Sequence, residues 1–157
     1  EMNALGSVLD IDGQAVDAMV KRFYERHHSD HLLLDKWFML KAAQARTADD
    51  IKALIMHQSF TYKTPNRVYA LIGGFTGGNL AGFHAVDGSG YQMLADSIIT
   101  LNGINPQVAA RMANGFRSWG RYDLARRNHA RGEMQRILAH EGLSNDVFEI
   151  ISRTLKG

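Results

Sequence analysis

Cysteine is absent from this sequence, and proline occurs only twice, at Pro65 and Pro106. Without cysteine no disulfide can form and no thiolate can hold a metal, so packing alone must hold the fold; the absence also fits a reducing compartment. Neither proline interrupts a helical run. Each follows a residue suited to capping, Thr64 or Asn105, at the first helical position, where the missing N–H has no intrahelical partner to lose. No apolar run reaches the roughly eighteen residues that a membrane span needs, and the N-terminus lacks the basic-then-apolar pattern of a secretion signal. Excess charge of one sign is also lacking: the formal net charge of +2 announces neither a nucleic acid nor a membrane surface. The start at Glu1 reads as a processed chain or as a piece of a longer one.

What is present is helical periodicity. The 157 residues are one domain's worth, and no alternating stretch is long enough for a strand. Val16, Met19, Val20, Phe23 and Tyr24 keep a helical spacing over about 14–28. Leu33, Leu34, Trp37, Phe38 and Leu40 carry a second helix. Thr47 with Asp50 three positions on reads as a capping box before Ile51, Leu54 and Ile55. Further stripes run through Val68, Leu71, Ile72 and Phe75, and then through Tyr91, Leu94, Ala95, Ile98, Ile99 and Leu101. A sixth is Val108, Met112, Phe116 and Trp119; a seventh is Met134, Ile137 and Leu138. Ser144 caps the last, with Val147, Phe148, Ile150, Ile151 and Leu155. The expectation is an all-α chain of about eight helices whose short connections make neighbours antiparallel, in a bundle or a solenoid.

Several motifs invite a chemical reading. "DGSGY" at 87–91 lacks the strand before and the lysine after that a phosphate loop requires, and it lacks the alternating oxygens of a calcium loop. It reads as a turn at Asp87-Gly88, with Ser89 capping a helix that begins near Gly90. His27, His28 and His31 are three imidazoles close together, a set that suits zinc. No carboxylate at a diagnostic spacing completes it, and the residues favour a solvated corner. "HEGLS" at His140 begins like a zinc-peptidase helix, but Ser144 stands where the second histidine is needed. Seven arginines lie between Arg111 and Arg136, opposed only by Asp123 and Glu133. They form either a nucleic-acid face or a solvated, carboxylate-paired surface, and their scatter around the helices favours the second. Gln107 and Arg111 stand one turn apart beside a core stripe. They border either a groove or an ordinary exposed flank, and spacing alone favours the flank. No catalytic constellation can be assigned from spacing.

The segments "LDKWF", "NRVYALIGGF", "FHAVDGSGYQMLAD", "INPQVAARM", "RYDLAR" and "LSNDVFEIISRTL" together resemble the C-terminal domain of bacterial aminopeptidase N, of the zinc gluzincin family. The resemblance runs through nearly the whole chain. It implies an armadillo- or HEAT-like α-α superhelix of stacked helix pairs. Residues 1–157 would be a single helical domain, the later part of that C-terminal domain, with earlier helix pairs missing. It implies a parent enzyme that removes N-terminal residues from peptides with a zinc held in an earlier domain, where zinc polarises the scissile carbonyl and activates water. This piece would carry no cofactor, no metal ligand and no catalytic residue, and would be inactive alone. Its role would be to enclose the active-site chamber and restrict peptide access. The partners implied are the parent's catalytic domain and peptide substrates, with no nucleic acid and no membrane, in the cytoplasm. Carried over residue by residue, Gln107 and Arg111 lie toward the chamber, as do Asn66 and Arg67 of "PNR". Relatives often carry a further arginine, also toward the chamber, where this chain has Tyr69. Missing earlier helices would leave Phe23, Tyr24, Trp37 and Phe38 uncovered, which favours self-association. The competing classes are an independent helical-repeat binding module and an arginine-rich nucleic-acid-binding domain.

Overall fold

The computed structural model describes residues 13–157. Among them all regular structure is helical: α1 (Gly13–His27), α2 (His31–Gln44), α3 (Ala48–Ile55), α4 (Pro65–Val68), a π-helical turn (Tyr69–Gly73), α5 (Gly74–Gly78), α6 (Leu80–Phe83), α7 (Ser89–Asn102), α8 (Pro106–Ala113), α9 (Leu124–Leu138) and α10 (Asn145–Lys156). The segments from 65 to 78 run on without a break, so they count as one rod. On that count the described residues hold nine helices, one more than periodicity predicts; the extra one is the single turn of α6.

The starts of these helices are fixed locally. Asp30 accepts hydrogen bonds from the backbone N–H groups of Leu32 and Leu33 and so caps α2. The Asp50 carboxylate reaches back to the N–H groups of Arg46 and Thr47 at the start of α3. Asn105, Asp123 and Ser144 cap α8, α9 and α10 through the N–H groups of Val108, Arg126 and Val147. Each such cap stabilises a helix by about 1 kcal/mol. Thr64 differs from expectation. It holds the cap position before Pro65 with an extended backbone, but its side chain makes no capping bond.

Packing follows the order of a solenoid. α7 lies against α8 and α9 against α10, while α9 also packs on α7 and α10 on α8. Like helices of successive pairs therefore stack, which is how a repeat buries a face that one pair cannot bury alone. At the other end α1 packs on α2, and α2 packs along the π turn and α5. Polar side chains pin the joints. Asn79 donates to the carbonyls of Ala42 and Ala45 and accepts from Gly82, tying α6 to the end of α2. Asn102 donates to the carbonyl of Gly142 and accepts from Ser144, fixing α7 to the turn before α10. The Trp119 indole donates to the carbonyl of Thr154.

The structure corrects the sequence reading at four places. Ser89 is not the cap of α7 but its first residue. Gly88 holds the cap position at φ 75°, and the Asp87 carboxylate accepts the Ser89 N–H. The stripe Val108, Met112, Phe116 and Trp119 is buried as expected, yet it is not one helix. The α-helix ends at Ala113, and Phe116 and Trp119 lie in separate 3-10 turns. Phe148 is exposed rather than part of the core, because α10 turns Val147 and Ile151 fully inward and Ile150 and Leu155 partly so, which leaves Phe148 on the outer side. Finally, Phe23, Trp37 and Phe38 are buried and Tyr24 is partly buried, so they are not an uncovered end. The α1–α2 pair closes on itself: the Tyr24 ring lies 4.7 Å from that of Trp37, which in turn lies 5.2 Å from His57.

Behind "DGSGY" lies a buried aromatic knot. His84 Nδ1 and the Tyr91 hydroxyl share a 2.8 Å hydrogen bond. The Tyr122 ring stacks on His84 at 3.9 Å, and Arg126 donates to the His84 carbonyl. Burial pushes the Tyr91 phenol up to about 12. Burial, aided by the Arg126 charge, lowers the imidazole of His84. Both groups are neutral near pH 7, as an apolar setting requires.

Candidate functional site

The site grows from the start of α8. Asn105 and Pro106 set the helix direction, and Val108, Ala109, Met112 and Ala113 turn into the core. The helical period then leaves Gln107 and Arg111 exposed on the outer flank, one turn apart. Across from them runs the rod 65–78. Its π turn presents the half-buried Tyr69, and the Arg111 guanidinium carbon lies 4.6 Å from the centre of that ring. Asn66 is exposed one turn before Tyr69. The fold thus joins Arg111 with Tyr69, two residues that sequence alone leaves far apart.

Arg67 goes elsewhere. It is only 4% exposed, forms an ion pair with Asp35 of α2, and donates to the carbonyl of Ser59. Its guanidinium also lies over the Phe38 ring at 5.4 Å. Here an arginine serves as a strut between α2 and α4, with its charge matched inside the protein. The helical turn explains the divergence: Asn66 and Tyr69 face out while Arg67 and Val68 face in.

Beyond Arg111 the chain turns back past Asn114, Arg117, Ser118 and Arg121. With Thr76 and Gly77 of α5 these residues line a cleft of about 500 Å³. Arg117 donates to the Asn114 side chain at 3.0 Å. Among the described residues no carboxylate forms an ion pair with Arg111, Arg117 or Arg121. The other arginines of the stretch are differently occupied. Arg126 pairs with Asp123, and Arg136 reaches Asp96 at 2.7 Å and Glu133 at 2.6 Å. Arg131 lies over Trp119 at 5.4 Å. The arginine-rich stretch therefore divides: Arg126 and Arg136 are paired with carboxylates, Arg131 lies over a ring, the Nε of Arg127 is buried without a hydrogen-bond partner, and the trio Arg111, Arg117 and Arg121 shares one cleft. Spacing did not reveal that trio. The one signal available was the lack of any acidic residue from Pro106 to Tyr122.

The histidine corner assembles no comparable site. The His27 ring packs against Phe23 at 4.8 Å, His28 Nδ1 lies 3.1 Å from the Tyr24 carbonyl, and His31 opens α2. Among the described residues no group of three or more His, Cys, Asp or Glu comes together in a way that could hold a metal ion. Among the same residues no helix is long and apolar enough to cross a membrane.

Comparison with known proteins places this geometry in context. A family described as a domain of unknown function (DUF3458_C), ARM repeats, matches residues 1–156. Aminopeptidase N of Escherichia coli (strain K12) is 39% identical over 141 residues, which cover 88% of this chain and 16% of that protein. Aminopeptidase N of Haemophilus influenzae is 38% identical over 142 residues, 89% of this chain and again 16% of the relative. A crystal structure of Legionella pneumophila aminopeptidase A in complex with aspartic acid superposes with a TM-score of 0.85 at 32% identity, over 99% of this chain and 18% of that one. The chain thus spans less than a fifth of the length of each of these proteins.

Proposed function

Because this chain belongs to the DUF3458_C family of ARM-repeat domains and corresponds to the C-terminal domain of aminopeptidase N, we propose that it is the non-catalytic helical wall of a zinc-dependent aminopeptidase that removes N-terminal residues from peptides. In this reading the chain forms the later part of that C-terminal domain, encloses the active-site chamber and governs which peptides enter. Its partners are the catalytic domain of the same parent protein and the peptide itself, and the enzyme works in the cytoplasm. The 38–39% identity to relatives named aminopeptidase N over 141 and 142 residues, beside the family match over residues 1–156, is the observation that carries the reading.

The described residues do not fit a zinc site, since no metal-holding group occurs among them. No bond-breaking step is therefore assigned to this chain. Its contribution is binding and enclosure. A wall that excludes water strengthens each polar contact to the peptide. Gln107, Arg111, Asn66 and Tyr69 are the residues whose exposure and mutual placement suit contact with a peptide. Arg67 braces the rod that carries Asn66 and Tyr69 from inside through Asp35.

The test is kinetic, in a complete aminopeptidase that contains this domain. Contacts shared by ground and transition states alter KM and leave kcat alone. A hydrogen bond to a charged group contributes about 1.5–3 kcal/mol, so Arg111→Ala raises KM for peptides by about tenfold or more. A single amino acid coupled to a reporter amide is too short to reach the wall and is unaffected. A large loss of kcat on that short substrate would contradict the reading, as would no change on either substrate.

A further inference from the structure

We propose that the cleft formed by Arg117, Arg121, Ser118 and Gly77, beside Arg111, is a carboxylate-binding site that takes the C-terminal end of a peptide. The inference rests on the peptide-handling role proposed above and deepens it by naming the chemical group that the cleft selects.

Three arginines, Arg111, Arg117 and Arg121, line one cleft of about 500 Å³. Among the described residues no carboxylate neutralises any of them in an ion pair. The nearest acidic residue that follows, Asp123, is already committed to Arg126 and to the cap of α9. Like charges gathered on a concave surface focus positive potential and raise the local concentration of anions. Arginine suits a carboxylate in particular, because its planar fork matches the two oxygens. The cleft also holds neutral polar groups, Asn114 and Ser118, where a peptide's backbone amides can bond.

The dimensions and the aromatic residues favour a peptide over a nucleic acid. A cleft of about 500 Å³ is of a size to seat a short chain end. Stacking of bases needs open aromatic faces, and the nearby rings are occupied: Arg111 lies over Tyr69 and Arg131 over Trp119, which is itself buried.

Gly77 supplies an independent handle. A Cβ built at Gly77 meets nothing within 4 Å, so packing does not require glycine there. A longer side chain at this position extends into open space from the wall of the cleft. Glutamate is also a better helix former than glycine. Gly77→Glu therefore places an internal carboxylate among the arginines without disturbing the core.

The experiment is an NMR titration of the 157-residue chain with N-acetyl-trialanine in two forms, free acid and C-terminal amide, and with a short single-stranded oligonucleotide. The free acid is expected to bind at least about tenfold more tightly than the amide, a difference of about 1.4 kcal/mol. The double variant R117Q/R121Q and the variant G77E each abolish that preference while the melting temperature of G77E stays at or above that of the wild type. Equal affinity for acid and amide, no binding of either, or wild-type binding by R117Q/R121Q would overturn the proposal. Tighter, arginine-dependent binding of the oligonucleotide would overturn it in favour of a nucleic-acid site. Because the titration uses this chain alone, its failure leaves the kinetics of the complete enzyme untouched, and an absent KM effect there leaves a measured carboxylate site standing.

Discussion

Arg111 rests on the face of Tyr69, its guanidinium carbon 4.6 Å from the ring centre, although one residue belongs to α8 and the other to the π turn. The contact holds an exposed charge in one direction, which a flexible arginine otherwise lacks. A cation–π contact at an exposed position contributes about 0.5–1 kcal/mol. Tyr69→Leu keeps bulk and removes the ring, so peptide KM in the complete enzyme rises by about two- to fivefold with kcat unchanged. Tyr69→Phe keeps the ring and stays near wild type. Identical behaviour of the two variants would show that the ring does not orient Arg111.

The two glycines of "DGSGY" answer to different constraints. Gly88 adopts φ 75°, a left-handed conformation that side chains disfavour. Gly90 has an ordinary backbone, but a Cβ there would fall 1.9 Å from the carbonyl oxygen of Phe83. That oxygen is backbone and cannot rotate away, so α6 and α7 would have to separate. Gly90→Ala is expected to cost about 3 kcal/mol or more, read as a lowered midpoint of urea unfolding. A midpoint within error of wild type would mean that α6 yields freely.

Asp35 and Arg67 form the charged strut of the first half. Arg67 is 4% and Asp35 17% exposed, so removal of either partner strands a charge away from water. Asp35→Ala is expected to destabilise by about 3–5 kcal/mol. The apolar pair Asp35→Leu with Arg67→Met recovers part of that loss, since burying the two charges was itself costly. Equilibrium unfolding of the three proteins measures this, and a Asp35→Ala loss below 1 kcal/mol, about the worth of an exposed pair, would contradict the buried-strut assignment.

Two histidines make stability depend on pH. Burial lowers the imidazoles of His57 and His84, with Arg126 adding to the shift at His84. The unfolded chain, with imidazoles near 6.5, then binds more protons than the native one as pH falls below that value. Linkage makes the native state lose stability in that window, down to the lowered folded values, whereas above about pH 7 the two sites contribute no slope. Thermal unfolding between pH 7.5 and 5 should show a falling melting temperature, less steep in His84→Gln. A flat profile would contradict the buried, neutral assignment.

The sequence reading was sound where structure is local. The Thr47–Asp50 start of α3, the Asn105-Pro106 start of α8 and the Ser144 cap depend on residues a few positions apart, and these are as expected. The stripe of Val68, Leu71, Ile72 and Phe75 is fully buried, as periodicity requires, even though a π turn runs through it. What escaped notice depends on distant partners or on segments too short for a period. "LAGF" is one turn long, and its capping residue Asn79 reads as loop until Ala42 and Ala45 are seen to hold its other end. Arg67 adjoins an outward Asn66, and nothing in its neighbourhood announces Asp35. After Ala113 the chain passes into a 3-10 turn in which Gly115 packs so closely on α7 that a Cβ would strike the Leu94 side chain at 2.7 Å, a distant contact that no local pattern announces. In the candidate site, the Gln107–Arg111 flank was legible from spacing. The partnership with Tyr69 and the cleft with Gly77 were not, because each needs the rod 65–78 to be brought alongside α8.

The central claim is that the flank bearing Gln107 faces peptide in the complete aminopeptidase. Photo-cross-linking tests it most directly. A benzophenone side chain is introduced at Gln107, and separately at Arg153, which is exposed on α10 and pairs with Glu149 of the same helix. Each protein is then irradiated with a labelled, slowly cleaved peptide. The expected result is a cross-link at 107 that unlabelled peptide competes away, and none at 153. Absence of a link at 107, or equal and uncompeted links at both positions, would contradict the account.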